Sequence, residues 1–178
     1  MIKDEIIASG GKLERILDIA LKEKNLTLAL AESCTGGKLA SLITAIPGCS
    51  SYFKGGIVCY SNEIKQNILG VDSSVLEKHG AVSRPVVEAM IEGAKRIFNA
   101  DCVIAISGIA GPDGGTPEKP VGTVWIAVAY KGLNKSKKFQ FSQDRESNIL
   151  SACNSGINML LEIMFPKAFH DSPKNLIA

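Results

Sequence analysis

Short uninterrupted apolar runs alternate along this chain with stretches in which apolar residues recur every three or four positions, the pattern of buried strands alternating with amphipathic helices. Between residues 4 and 24, Ile6, Ile7, Leu13, Ile16, Leu17, Ile19, Ala20 and Leu21 fall at roughly helical spacing; Gly10 and Gly11 split the stretch, so the main helix is expected from about Gly11. LTLALA (26–31) reads as a strand buried on both faces, followed by a helix from about Thr35 to Ile46 that Pro47-Gly48 ends. GIVCY (56–60) is the next strand, and 62–69 a helix with Ile64, Ile68 and Leu69 on one face. His79, before Gly80, looks like the end of a short helix. Ser83 is placed to cap a helix to about Asn99, with Pro85 in its first turn and Val86, Val87, Met90, Ile91, Ala94 and Ile97 as its apolar stripe. CVIAIS (102–107) is a buried strand that runs into the loop GIAGPDGGTPEKP (108–120). Residues 121–130 and 137–141 predict a hairpin around Gly132-Leu133-Asn134, and 144–165 a last helix; the tail from Pro166 is expected to fray.

This order predicts a three-layer α/β/α sandwich on a mixed, mostly parallel sheet, in one domain spanning residues 1–165. A length of 178 residues with 46% hydrophobic and 21% charged positions suits one globular domain. A net charge of +2, from 20 Lys+Arg against 18 Asp+Glu, gives no electrostatic reason to expect nucleic acid as a partner. No uncharged apolar run reaches the ~18 residues of a spanning helix, and the first residues mix both charge signs, unlike a signal peptide. The expectation is a soluble, cytoplasmic protein with no membrane partner; a homo-oligomer is compatible with the sequence. Cys34, Cys49, Cys59, Cys102 and Cys153 are odd in number and far apart, so five free thiols are expected. With two histidines and no CxxC pair, no zinc site is expected, and Asp113, Glu118 and Asp144 read as turn formers rather than cation ligands. Neither metal nor cofactor is called for.

AESCTGG (31–37), YSNEIK (60–65) and SGIAGPDGG (107–115) each follow a predicted strand, where open α/β sheets hold their ligands, so the three are expected to share one crevice. Ser33 stands at a strand-to-helix junction, with Thr35, Gly36 and Gly37 opening the helix; N–H groups there can hold an oxyanion or a phosphate, although the same pattern also suits an ordinary helix start. It is not a P-loop, because Gly37-Lys38 is followed by Leu39 and the upstream glycine would fall on Glu32. Nor is SGIAGPDGG a dinucleotide fingerprint, since Gly108 and Gly111 are three apart and no helix follows.

As a nucleophile Ser33 needs a base. His79 and His170 are poorly placed; Lys65 is the better candidate, provided it is desolvated or near another cation, because a neutral lysine at working pH needs several kcal/mol of bias. Tyr60 is positioned to bridge Ser33 and Lys65 or to meet substrate. Cys34 is a rival nucleophile, and strand alternation is expected to turn it away from the face that Ser33 uses. Trp125 reads as core. Asp144 caps the last helix and Arg145 projects from its first turn, where a guanidinium is electrostatically misplaced unless it meets an anion, either a phosphate or a surface acid.

At AESCTGG, YSNEIK, HGAVS and SGIAGPDGGTPEKPVGTVW the sequence resembles the C-terminal domain of competence/damage-inducible protein A, the CinA-like nicotinamide-nucleotide amidohydrolase family, from about residue 11 to 163. The resemblance implies metal-free hydrolysis of nicotinamide mononucleotide to nicotinate mononucleotide and ammonia, a recycling step in pyridine nucleotide metabolism, on a three-layer α/β/α fold. It implies Ser33 as nucleophile, Lys65 as base, and Tyr60 and Thr35 as their supporting neighbours, with the N–H groups around Gly36 and Gly37 as the oxyanion site. Ser107, Gly108, Gly111 and Asp113 would line the nucleotide site, and Arg145 would meet the 5′-phosphate; Gln143 stands where relatives usually carry Gly before the Asp-Arg pair. Many relatives carry a large N-terminal domain for which this chain has no room, so a stand-alone version is expected. The rival readings are a non-catalytic nucleotide-binding or regulatory module and an amidase for another small amide.

Overall fold

A computed structural model of the chain describes residues 12–166. The apolar positions before Gly10 and the tail from residue 167 onward, including His170, lie outside the described residues. Among the described residues six α-helices and five strands follow in the order α1 (Leu13–Glu23), β1 (Leu28–Glu32), α2 (Lys38–Thr44), β2 (Phe53–Val58), α3 (Asn62–Asn67), α4 (Ser73–His79), α5 (Arg84–Phe98), β3 (Cys102–Gly108), β4 (Thr123–Tyr130), β5 (Leu133–Gln140) and α6 (Arg145–Met164). The sheet order is β2-β1-β3-β4-β5. β1 pairs in parallel with β2 and β3, and β4 pairs antiparallel with β3 and β5, so β4 alone runs against the other strands and the expected mixed, mostly parallel sheet is present.

The period-two alternation of side chains sorts the strands into two different faces. Leu28, Leu30, Ile104, Ile106, Val124, Ile126 and Val128 form a bulky face that packs on α1, α2 and α6. Ala29, Ala31, Val103, Ala105, Ala127 and Ala129 form a shallow face that lets α5 lie close, with Val86, Val87, Met90, Ile91 and Ala94 filling the layer. Trp125 packs partly buried at the edge of that second layer, in agreement with its reading as core. These are the three layers, and both faces of β1 and β3 are covered.

Element boundaries depart from expectation where glycine and lysine carry structural roles. α2 starts three residues later than the pattern suggests, because Gly36 and Gly37 take left-handed φ values of 58° and 93° and make residues 33–37 a turn. β2 runs from Phe53 to Val58, beginning three residues before the expected start at Gly56 and so taking in Gly55 as well. A Cβ on Gly55 would lie 3.0 Å from the Phe98 ring and one on Gly56 3.2 Å from Leu30 Cβ, so the glycines record close approach within a strand. Tyr60 consequently falls beyond the strand. β5 begins at Leu133, and its polar LNKSKKFQ sequence is that of an exposed edge strand. The hairpin turn is therefore Lys131-Gly132, both with positive φ, rather than 132–134. Ser83 holds the N-cap position of α5, but its hydroxyl donates to Gly80 O at 2.8 Å instead of accepting from the helix.

α5 also touches the segment after α3. A Cβ on Gly93 would collide with the carbonyl oxygen of Leu69. Helix propensity alone favours alanine over glycine by about 1 kcal/mol, whereas overpacking of this kind costs about 1–3 kcal/mol. Gly93→Ala is therefore expected to lower the urea midpoint; a raised midpoint would show that the Leu69 segment moves aside freely.

Candidate functional site

The connection from β1 through α2 to β2 lies on one face of the sheet, and the connection from β2 through α3, α4 and α5 to β3 lies on the other. They part at the carboxyl end of β1, the kind of switch point at which open α/β sheets bind ligands. Ser33 follows β1 there, and its N–H donates to Ile106 O at 2.9 Å, carrying the β1–β3 ladder one residue further before the chain turns.

Lys65 comes to the same point from α3, whose start is capped by the Ser61 hydroxyl accepting from Ile64 N–H at 3.2 Å. It is among the largest fully buried side chains, 1% exposed. Its Nζ lies 3.0 Å from Ser33 Oγ and donates to Cys59 O at 2.7 Å. Burial lowers its pKa from the ordinary 10.5, with the Cys59 and Cys34 thiols opposing the shift. The desolvation that a neutral amine requires is thus in place. Cys34 packs into the core with Leu28 and Leu30, on the opposite face from Ser33 as alternation predicts, although it also borders the cleft. Its thiol is buried, and burial pushes its pKa up to about 12, so it is held as a thiol and not as the thiolate a nucleophile needs.

Hydrogen-bond accounting in the turn corrects one expectation. Gly36 N–H donates to Ser33 O at 3.0 Å and Lys38 N–H to Thr35 O at 2.9 Å. The Glu32 carboxylate accepts from Gly37 N–H at 3.1 Å, Leu39 N–H at 3.1 Å and Ala40 N–H at 2.8 Å. Gly36 and Gly37 therefore offer no free donor; they shape the turn. Within the turn of residues 33–37, the N–H groups left without an acceptor among the described residues are those of Cys34 and Thr35.

A cleft of about 270 Å³ beside the Ser33–Lys65 pair is bordered also by Tyr60, Ser107, Gly108, Gly111, Asp113 and Arg145. Ser107 is buried and donates to Ala81 O at 2.8 Å, so it fastens the HGAVS segment to β3 and its hydrogen is already committed. Tyr60 is 60% exposed and bridges nothing between Ser33 and Lys65; its hydroxyl accepts from Arg145 Nη2 at 3.1 Å. Arg145 Nη1 donates to Gly111 O at 2.6 Å, which strings the guanidinium across the mouth of the cleft. It meets no surface acid there. Asp144 caps α6 as expected, accepting from Ser147 N–H. On the far side of Arg145 a more open cavity of about 520 Å³ is bordered by Thr35, Gly36, Gly37, Lys38 and Ser41. Thr35 Oγ1 is buried without a hydrogen-bond partner and belongs to this second cavity, not to the cleft around the amine.

Two residues that matter here were not singled out from sequence. Glu32 is an acid just ahead of a helix start, a position that the helix dipole favours. Asn148 sits one helical turn before Ala152 on the buried stripe of α6, and a polar residue on such a stripe is itself a signal. Its side chain, 1% exposed, donates to Ala110 O and Gln143 O at 3.0 and 2.9 Å and so holds the 109–114 loop onto α6. All five cysteines are free. Among the described residues no cluster of His, Cys, Asp and Glu is arranged to hold a metal ion, and no helix is long and apolar enough to cross a membrane.

The lowered pKa of Lys65 has a measurable consequence. Between the lowered folded-state value and the ordinary 10.5 of the unfolded chain, the unfolded state carries the extra proton, so this residue makes stability rise with pH across that window. Below the window the lysine is charged in both states and the cost of burying a cation applies in full. Lys65→Met removes the dependence. The wild-type minus Lys65→Met difference in unfolding free energy, from urea titrations at a series of pH values, is expected to climb toward pH 10.5 and flatten above it; a difference independent of pH would contradict the buried, neutral-leaning amine.

The model of the CinA C-terminal domain family matches residues 11–164. A CinA-like protein of Thermotoga maritima is 51% identical over 134 residues, covering 75% of this chain and 33% of that protein. Another from Akkermansia muciniphila is 49% identical over 140 residues, covering 78% of this chain and 34% of that protein. The chain thus spans about a third of the length of these curated relatives. Among solved structures, a CinA superfamily protein from Klebsiella pneumoniae superposes with a TM-score of 0.82 at 36% identity, over 85% of this chain and 95% of that one. The competence/damage-inducible protein from Agrobacterium tumefaciens gives 0.82 at 35% identity, over 85% and 93%. Sequence motifs, strand order and family match agree, and the chain belongs to the CinA family through its C-terminal domain.

Proposed function

We propose that this domain is an amidohydrolase that converts nicotinamide mononucleotide to nicotinate mononucleotide and ammonia, in cytoplasmic recycling of pyridine nucleotides. The observation that carries the chemistry is the desolvated Lys65 amine, 3.0 Å from the Ser33 hydroxyl. In its neutral form the amine donates to Cys59 O and accepts from Ser33, which makes the serine oxygen nucleophilic. Ser33 Oγ attacks the carboxamide carbon while its proton passes to Lys65. The tetrahedral oxyanion is met by the free N–H groups of Cys34 and Thr35. Lys65 returns the proton to the departing nitrogen, ammonia leaves, and an ester to Ser33 remains. Water, deprotonated by Lys65 in its turn, cleaves that ester to the acid and regenerates the hydroxyl. The sequence balances with water as its sole co-reactant.

The substrate rests on the motifs shared with the family, and the cavities support it in kind. Two adjoining spaces of about 270 and 520 Å³ suit a small ligand with two parts. Arg145 borders both, and in this reading it receives the 5′-phosphate while the pyridine amide reaches Ser33.

Ammonia release from the mononucleotide is the direct assay. Ser33→Ala and Lys65→Ala are each expected to lose about 10⁴-fold or more in kcat. Lys65→Arg falls with them, because a guanidinium cannot become a neutral base; Cys34→Ala keeps activity. Activity in the wild type should rise with pH through the lowered Lys65 value, giving an acid limb below 10.5. Full activity in either alanine variant at Ser33 or Lys65 would remove the mechanism. Saturable calorimetric binding of the mononucleotide without ammonia release would mark a binding module instead.

A further inference from the structure

We infer that Glu32 is a positioning residue for the nucleophile turn: its buried carboxylate holds the start of α2 so that the Cys34 and Thr35 N–H groups stay free to meet the oxyanion. The inference rests on the proposed amidase chemistry and adds to it a group that touches neither substrate nor base.

By alternation along β1, Glu32 lies on the same face as Leu28 and Leu30, the face covered by α2. It is 1% exposed, and among the described residues no lysine or arginine forms an ion pair with it. A carboxylate in such a place is tolerated only if its charge is met by hydrogen bonds, and it has three, from Gly37, Leu39 and Ala40. A helix start is ordinarily capped by the side chain of the residue at its boundary. Here that residue is Gly37, which has none, and which takes the left-handed φ of 93° that closes the turn. The turn excludes a local cap, so the strand supplies one from five positions upstream.

The same residue anchors the base by its main chain. Glu32 O accepts from Cys59 N–H at 2.8 Å, and Cys59 O in turn accepts from Lys65 Nζ. The carboxylate therefore fixes the turn that carries Ser33, while the carbonyl fixes the strand end that carries the partner of Lys65. Once Gly36, Gly37 and Lys38 have their acceptors, the helix start cannot rotate its N–H groups into the cleft, and within this turn those of Cys34 and Thr35 remain for the transition state.

The test compares wild type with Glu32→Gln and with Ala40→Pro. The second variant deletes one of the three donors at a first-turn helix position, where the N–H has no intrahelical acceptor, and leaves Glu32 in place. Each is assayed for ammonia release and for phosphorylation of Ser33 by diisopropyl fluorophosphate, read by mass spectrometry and expressed per folded molecule from near-ultraviolet circular dichroism. The expected result is a fall in kcat of about 10- to 100-fold in Glu32→Gln and a smaller fall in Ala40→Pro, with KM within about twofold and a parallel slowing of phosphorylation. A purely structural carboxylate would reduce only the folded fraction, so unchanged kcat and labelling rate per folded molecule in either variant would overturn the inference. Should Glu32→Gln not fold, Ala40→Pro decides alone on the same terms. If wild-type Ser33 is neither labelled nor active, the amidase reading fails and takes this inference with it; if wild type is labelled and the variants match it, this inference alone fails.

Discussion

A lysine amine buried to 1% exposure, with a carbonyl and a hydroxyl for partners, constrains everything around it. Burial of a cation costs several kcal/mol unless it is paired, and among the described residues no acid forms an ion pair with it, so the environment leans toward the neutral amine. Such a group cannot be held by electrostatic attraction. It has to be held by geometry: α3 is started by the Ser61 cap, Cys59 is fixed to β1 through Glu32 O, and Ser33 is fixed to β3 through Ile106 O. The sheet has to be rigid at this end because the amine would otherwise escape toward water and take up its proton.

That rigidity follows from the two unlike faces of the sheet. The bulky face locks α1, α2 and α6 by interdigitation of Leu, Ile and Val, while the alanine face brings α5 down close to the strands. Close approach continues at Gly93 against Leu69 and at Gly55 against Phe98, so the segments flanking α3 are clamped by backbone contacts as well as by side chains. The loop of residues 109–114 has no regular structure, yet Asn148 from α6 and Arg145 from its first turn bind the carbonyls of Ala110 and Gly111. Lys119 reaches back to His79 O at 2.7 Å. The loop is thereby tied to both layers of the fold.

The architecture was legible from hydrophobic period alone, because β1 and β3 are apolar on both faces and α5 and α6 carry long stripes. Boundaries failed where a residue's intrinsic preference was overridden: glycine inside β2, lysine along β5. The Ser33–Lys65 pair could be nominated from strand ends and residue chemistry, but whether the lysine was desolvated could not be read from its neighbours in sequence, since the partners that hold its amine, Ser33 and Cys59, stand at the ends of β1 and β2. The bridging alternative for Tyr60 and the glycine N–H donors failed for a common reason. Sequence gives proximity to the site without giving which hydrogen bonds are already made, and in both cases the groups had prior partners, Arg145 for Tyr60 and Glu32 or Ser33 for the glycines. Glu32 itself stood in the motif but showed only as a mismatch to a phosphate loop.

Those prior partners also determine the charge that the cleft presents. Of the two cations at its lining, Lys65 is bound to a carbonyl and a hydroxyl, and Arg145 likewise to a carbonyl and a hydroxyl. The one buried carboxylate nearby is consumed by three N–H groups, and the exposed Asp113 on the loop forms an ion pair with neither cation. Neutral acceptors orient a guanidinium without cancelling it, so Arg145 keeps its full charge for an anionic ligand. The same kind of partner leaves Lys65 without the negative neighbour that would hold its proton on. One rule, keeping acids away from both cations, thus serves opposite ends: it leaves the exposed arginine charged and the buried lysine inclined to be neutral, which is the combination that the proposed substrate, an anion bearing a neutral amide, would require.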